Sequence, residues 1–205
     1  MDVTLFATKG NLITAKNTLR LSRQGYELMD KKRTILINEM MGLIKVAEEI
    51  QSQIDSTFTE AYKALQMANL TSGISRVYDI AQTIDVKDDV SIRMRSVMGV
   101  DIPEVLFEKE KLQPAFGFFN TDNALDRAYQ QFDKVRTLTI HLAGVENAVY
   151  RLAINIKKTS KRANALQSII IPRYEGIVRN IQNVLEEKDR EEFTRLKVIK
   201  NKKKT

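Results

Sequence analysis

From Leu12 a step alternating between three and four residues lands on Leu12, Ala15, Leu19, Ser22, Tyr26, Met29, Arg33, Leu36, Met40, Leu43, Ala47, Ile50, Ile54, Thr57, Ala61, Ala64 and Ala68. Every stop is apolar except Ser22, Arg33 and Thr57. A spacing that averages 3.5 residues over so many turns marks a coiled-coil seam, narrower than the stripe of a globular helix. At 1.5 Å per residue the pattern predicts a helix roughly 85 Å long, beyond the width of a compact domain of this size. No proline occurs before Pro103, so nothing interrupts it.

A second seam begins at Leu125 and runs through Ala128, Phe132, Val135, Leu138, Leu142, Val145, Val149, Leu152, Ile156, Thr159, Ala163, Leu166 and Ile170. Two consecutive three-residue steps around Val135 and Leu138 form a stammer, which overwinds a supercoil locally without ending the helix. Asp122 stands where an amino-terminal cap belongs. Pro172 follows the seam, but Ile177, Ile181 and Val184 stay periodic beyond it, so the pattern predicts a kinked arm that continues. Two long seams in one chain bury each other most simply as an antiparallel hairpin. Small residues at Ala61, Ala64 and Ala68 allow close approach of the backbones.

Between the seams the period changes. Val90, Ile92 and Met94 alternate with Ser91, Arg93 and Arg95, which predicts a half-buried strand. Gly99 and Asp101-Ile102-Pro103 suggest a turn, and Val105-Leu106-Phe107 a returning strand, with Gly117 among Phe116, Phe118 and Phe119 in the loops beyond. The predicted fold is therefore mainly α: a long antiparallel two-helix coiled coil formed by the amino- and carboxy-terminal arms, with a short central β-hairpin. Its parts are an amino-terminal arm over 1–70, a central region over 71–119, a carboxy-terminal arm over 120–194 and a basic tail over 195–205.

Composition agrees with helix-on-helix packing. Of 205 residues 43% are hydrophobic, 29% charged and only 7% aromatic, with no Trp. The absence of Cys excludes disulfides, thiolate ligands and a Cys nucleophile and fits a reducing interior. MDVTLFATKGNLI lacks the basic and apolar regions of a signal peptide, and no apolar run approaches the roughly 20 residues that span a bilayer. The net charge of +7 invites a nucleic-acid or anionic-membrane reading, but Arg195, Lys197, Lys200, Lys202, Lys203 and Lys204 supply most of it. The rest of the chain is close to neutral.

Sites for covalent chemistry are missing from the pattern. The eight glycines are scattered and no Gly-Lys pair exists, so there is no phosphate-binding loop. His141, the only histidine, has no His or Cys partner with which to begin a zinc site. The carboxylates of EEKDREE alternate with Lys188 and Arg190, which suits a salt-bridge network better than general acid catalysis. No catalytic, cofactor-binding or metal-binding residue is expected.

The polar residues beside the second seam carry a resemblance. Lys161, Arg162, Asn164, Ala165, Leu166, Ile171 and Pro172, followed by Arg190, Glu191, Glu192, Arg195, Leu196 and Lys197, resemble the carboxy-terminal signature of the D-subunit family of V-type and A/V-type rotary ATPases. Thr8, Lys9 and Leu12, then Gly25, Leu28, Lys31 to Arg33 and Leu36, match its amino-terminal pattern. Ala7, Thr34, Ala163 and Gln167 depart from residues common in that family, and none breaks a seam.

This resemblance implies a non-catalytic central-stalk rotor shaft, present once per complex. It couples ATP hydrolysis or synthesis in a catalytic head to rotation of a membrane ring and to H⁺ or Na⁺ transport. The implied partners are the A- and B-type head subunits, the F-type stalk subunit and the component that links the shaft to the ring. The implied location is cytoplasmic, peripheral to the membrane, with no nucleic acid and no insertion into the bilayer. Thr8, Lys9, Arg162, Asn164, Arg190, Arg195 and Lys197 are the expected partner contacts. The alternatives are a free-standing coiled-coil adaptor, which would impose no particular polar motif, and a nucleic-acid or anionic-membrane binder acting through the tail, whose binding would fall steeply with salt. The γ subunit of F-type synthases shares the mechanical role, but its larger central domain does not fit between these arms.

Overall fold

The computed structural model describes residues 6–84, 90–107, 117 and 122–203. The elements follow in the order α1 (Lys9–Ser72), α2 (Ile74–Gln82), β1 (Val90–Val97), β2 (Val100–Phe107), α3 (Asn123–Ala165), a π-helical turn (Leu166–Ile170) and α4 (Ile171–Lys202). Every position of both seams is buried or half-buried. Ala15, Leu36, Ile54, Ala61 and Ala68 on α1, and Leu125, Ala128, Val135, Leu152 and Ala163 on α3, are the most enclosed. The fold is the mainly α arrangement the periodicity predicts, with one β-hairpin.

The chain forms two compact units, residues 1–34 with 156–205 and residues 35–155. In the second unit α1 and α3 run antiparallel. The Tyr62 ring meets Phe132 edge-on at 5.7 Å and stacks on Phe58 at 5.8 Å, and one groove is lined by Ile44 and Ala47 from α1 together with Val149 and Ala153 from α3. At the other end of this pairing Ala68, Val77 and Leu125 form a small buried cluster, with Leu65, Ile80 and Ala124 packed against it. Val77 comes from α2, an element the alternating pattern of the central region did not bring to notice. Its signal in the sequence was the pair Val77 and Ile80, three residues apart on one helical face.

The hairpin forms, with two corrections to the expected detail. The turn is Met98-Gly99 alone, with φ of 51° and 73°. Asp101, Ile102 and Pro103 lie inside β2, paired with Ser96, Arg95 and Met94. A two-residue loop with both φ positive is the type I′ turn, whose twist matches that of the strands it joins. Its closing pair, Val97 and Val100, is a hydrogen-bonded pair, so Pro103 opposite Met94 falls at a non-hydrogen-bonded position. The missing proline N–H therefore removes no ladder bond, and the strand passes through it. The second correction concerns β1, which is exposed from Val90 to Ser96 instead of half-buried. β2 is the strand that seats, through Val100 and Ile102.

In the other unit the helix does continue beyond Pro172, by a different device from a simple kink. The amide of Ile171 donates to the carbonyl of Leu166, five residues back, and the π turn absorbs one extra residue just before the proline. Widening the ladder there accommodates a residue that has no N–H to give. α4 then runs to Lys202, so the basic residues from Arg195 to Lys202 are helical. Lys204, together with Phe116, Phe118 and Phe119, lies outside the described residues.

Candidate functional site

All seven expected contact residues belong to the unit made of residues 1–34 and 156–205. Thr8 sits just ahead of α1. Its Oγ1 accepts the Asn11 amide at 3.2 Å and its carbonyl accepts the Leu12 amide at 3.0 Å, while Asn11 Nδ2 donates back to the Phe6 carbonyl at 2.8 Å. These bonds satisfy donors that every helix start leaves open, so Thr8 is an amino-terminal cap. The Thr-x-x-Asn spacing was the signal in the sequence that could have assigned this role. Thr8→Ala is expected to cost about 1 kcal/mol and to fray the first turn of α1, read as faster amide exchange at Asn11 and Leu12. A slow, unchanged exchange would remove the capping assignment. Lys9 is exposed on the first turn.

Arg162 and Asn164 are exposed at the carboxy-terminal end of α3, on either side of buried Ala163. They flank the seam as the sequence pattern placed them. Arg162 has no ion pair among the described residues, and the helical backbone continues past it through the π turn into α4. Two motif residues from opposite arms meet nearby: Gly25 lies against Leu166, where a Cβ at Gly25 would stand 3.8 Å from Cδ1. Arg23 Nη2 donates to Glu175 Oε1 at 2.6 Å, across the same antiparallel pairing.

Arg190, Arg195 and Lys197 are exposed on α4. Arg190 and Arg195 border a shallow depression of about 810 Å³ with Glu186, Glu187 and Glu191. Arg195 and Glu191 stand 3.7 Å apart across one helical turn, both well exposed. Carboxylates and guanidinium groups alternate here on a single wet helix face, so attraction between neighbours is weak and screened. Phe193, Leu196 and Ile199 are exposed on the same stretch.

None of this brings a nucleophile, a base and an orienting group together, which covalent catalysis requires. Among the described residues no cluster of three or more His, Asp or Glu side chains could hold a metal ion, and no buried side-chain N or O lacks a hydrogen-bond partner. His141 is exposed on α3, in the other unit.

The family model described as the D subunit of ATP synthase matches residues 11–201. This chain belongs to that family. D-subunit relatives align along nearly its whole length. A protein named as the D subunit of a V-type ATP synthase, from Thermotoga neapolitana, is 45% identical over 195 residues, covering 95% of this chain and 96% of the relative. Proteins named as D subunits of A-type ATP synthases, from Pyrococcus furiosus and Thermococcus kodakarensis, are 34% and 33% identical over 94% of this chain and 92% of each relative. Membership in the D-subunit family thus extends over both seams and the hairpin between them.

Proposed function

We propose that this chain is the central-stalk rotor subunit of a V/A-type ATP synthase, coupling ATP hydrolysis or synthesis in the catalytic head to rotation of the membrane ring and ion transport. The observation that carries this is the D-subunit match over residues 11–201. The physical chemistry supports it. A part that transmits torque must resist unwinding, which a long seam of buried 3.5-residue spacing provides. It must also turn against neighbours without locking, which favours a charged outer face over a large apolar one.

In this reading the chain performs no chemistry of its own, and ATP is bound and hydrolysed by other subunits. Its partners are the A- and B-type head subunits, the F-type stalk subunit and the component linking it to the ring, with one copy in each complex. It is cytoplasmic and held at the membrane by the complex. The last point is supported by the finding that, among the described residues, no helix is long and apolar enough to cross a bilayer. Thr8, Lys9, Arg162, Asn164, Arg190, Arg195 and Lys197 are its contact residues, with Thr8 acting through the helix start it caps.

Purification of the tagged chain should bring down nucleotide-binding head subunits and stalk subunits together. Replacing Arg162, Arg190, Arg195 and Lys197 together with Gln is expected to reduce ATP-driven ion transport several-fold more than ATP hydrolysis, because polar contacts between rotor and head would be lost while the catalytic sites stay intact. Unchanged coupling and assembly in that variant would overturn the contact assignment. Recovery of the chain without any ATPase subunit would overturn the rotor reading.

A further inference from the structure

The hairpin stands on one of its edges. Ile102 and Val105 of β2 point to opposite faces of the two-stranded sheet, yet Ile102 is buried and Val105 presses on Gly144 of α3. β1 by contrast is exposed on both faces from Val90 to Ser96. A hairpin lying flat would bury the same face of both strands. This one seats β2 on the helices and leaves β1 exposed, with Val90, Ile92 and Met94 at the rim of a cavity beside α3.

The register shows which backbone groups β1 presents. Since Val97 and Val100 close a two-residue turn as a hydrogen-bonded pair, Ser91, Arg93, Arg95 and Val97 direct their N–H and C=O groups to β2. Val90, Ile92, Met94 and Ser96 direct theirs to the open edge. Among the described residues no strand pairs there, because the sheet has two strands only. An unpaired, regular eight-residue edge is a template for another strand.

We propose that this edge takes an extended segment of another stalk or head subunit as a third strand, with apolar residues alternating with acidic ones. The inference rests on the rotor reading for the existence of such a neighbour. Its chemistry comes from the two faces of β1. On one face Val90, Ile92 and Met94 are 44%, 64% and 54% exposed, and they border an apolar cavity of about 390 Å³ with Ile140 and Ala143. The incoming strand meets them with apolar side chains. On the other face Arg93 stands opposite Glu104 in the register without an ion pair among the described residues, whereas Arg95 is engaged by Glu39. An acidic residue on the incoming strand flanks Arg93 on its open side, as Glu104 does on the other. A second copy of this chain does not suit the edge, since antiparallel pairing of β1 with itself about its middle sets Arg93 against either Arg93 or Arg95 of the other copy, and like charges across strands repel.

Residue-resolved amide exchange on the full chain, free and in the purified complex, tests this. The amides of Ile92, Met94 and Ser96 should exchange rapidly in the free chain and at least about tenfold more slowly in the complex, while those of Arg93, Arg95 and Val97 are protected in both. Ile92→Pro removes one outward N–H without removing a bond to β2, and should weaken retention of the partner about three- to tenfold. Arg93→Gln should weaken it by removing the charge without setting two carboxylates opposite each other at Glu104, and persisting protection at Val97 in either variant shows that the hairpin is still formed. Edge amides that exchange equally fast in the complex overturn the proposal. Edge amides already protected in the free chain overturn it too, because the chain then covers its own edge. A complex that lacks other ATPase subunits overturns the rotor reading, and this inference with it.

Discussion

Leu152→Ala should destabilise the unit formed by residues 35–155 by about 2–5 kcal/mol, the range for removing a fully enclosed leucine and leaving a cavity. Leu152 has no exposed surface, a condition that among the large side chains described is met also by Leu36. Each is a seam residue at the three- and four-residue spacing, so the cost falls on the contact that defines the fold. A seam two helices wide has no further layer that could move in to fill the space. Thermal unfolding followed by circular dichroism should shift by roughly 2–4 °C per kcal/mol for a chain of this size. Leu70→Ala, at a position 80% exposed, should stay within about 0.5 kcal/mol of the parent. Equal, small shifts for both variants would show that the buried seam does not hold the unit together.

Gly144→Ala is expected to separate the hairpin from α3 while leaving the helices intact. A Cβ there would stand 2.6 Å from Val105 Cγ2 and 3.2 Å from Val105 Cβ. Overpacking of this kind costs about 1–3 kcal/mol, whereas Ala in place of Gly favours the helix by roughly 1 kcal/mol. The two effects act on different elements, so they can be read separately. Helical unfolding should stay level or move slightly upward, while the amides of Val100 and Ile102 exchange faster as β2 loses its seat. Adding Val105→Ala removes the clashing methyl and should restore slow exchange. If the double variant exchanges as fast as Gly144→Ala alone, the close approach is not what docks the hairpin. Beside the burial of Val100 and Ile102, the polar ties between hairpin and helices among the described residues include the ion pair of Glu39 with Arg95 and the Arg151 Nη1 bond to the Asp101 carbonyl at 3.3 Å, both open to solvent and correspondingly weak.

How much of this was legible before the fold was known varies with the range of the interactions involved. The seams were readable because coiled-coil burial repeats a local rule, and each stop from Leu12 to Ala68 is buried or half-buried for the same reason as its neighbours. The central region obeyed no such rule. There α2 escaped notice because a single helical face of nine residues is a short signal. Pro103 read as a turn residue because its missing N–H is harmless only in one register, and register is decided by the partner strand. The π turn ahead of Pro172 could not be separated from an ordinary kink, since both answer the same missing donor.

The expected contact residues divide in a similar way. Arg162 and Asn164 stand exposed beside the seam, where helical periodicity put them. Thr8 carried a motif whose physical meaning is local, the capping of α1, and the bonds to Asn11 made that visible. The basic tail read as an appendage, whereas it is helical through Lys202, with Phe193, Leu196 and Ile199 exposed among the charges.

By itself the sequence determined the mainly α class, the two seams and their antiparallel pairing, and the family, because periodicity and motif spacing are properties of neighbours along the chain. Tertiary structure decided which strand of the hairpin seats on the helices. Both strands carry apolar side chains, but only β2 meets α3 at a residue with no side chain, so Val105 can approach Gly144 and β1 is left with an open edge. That choice depends on two positions about forty residues apart, and no window along the chain contains both.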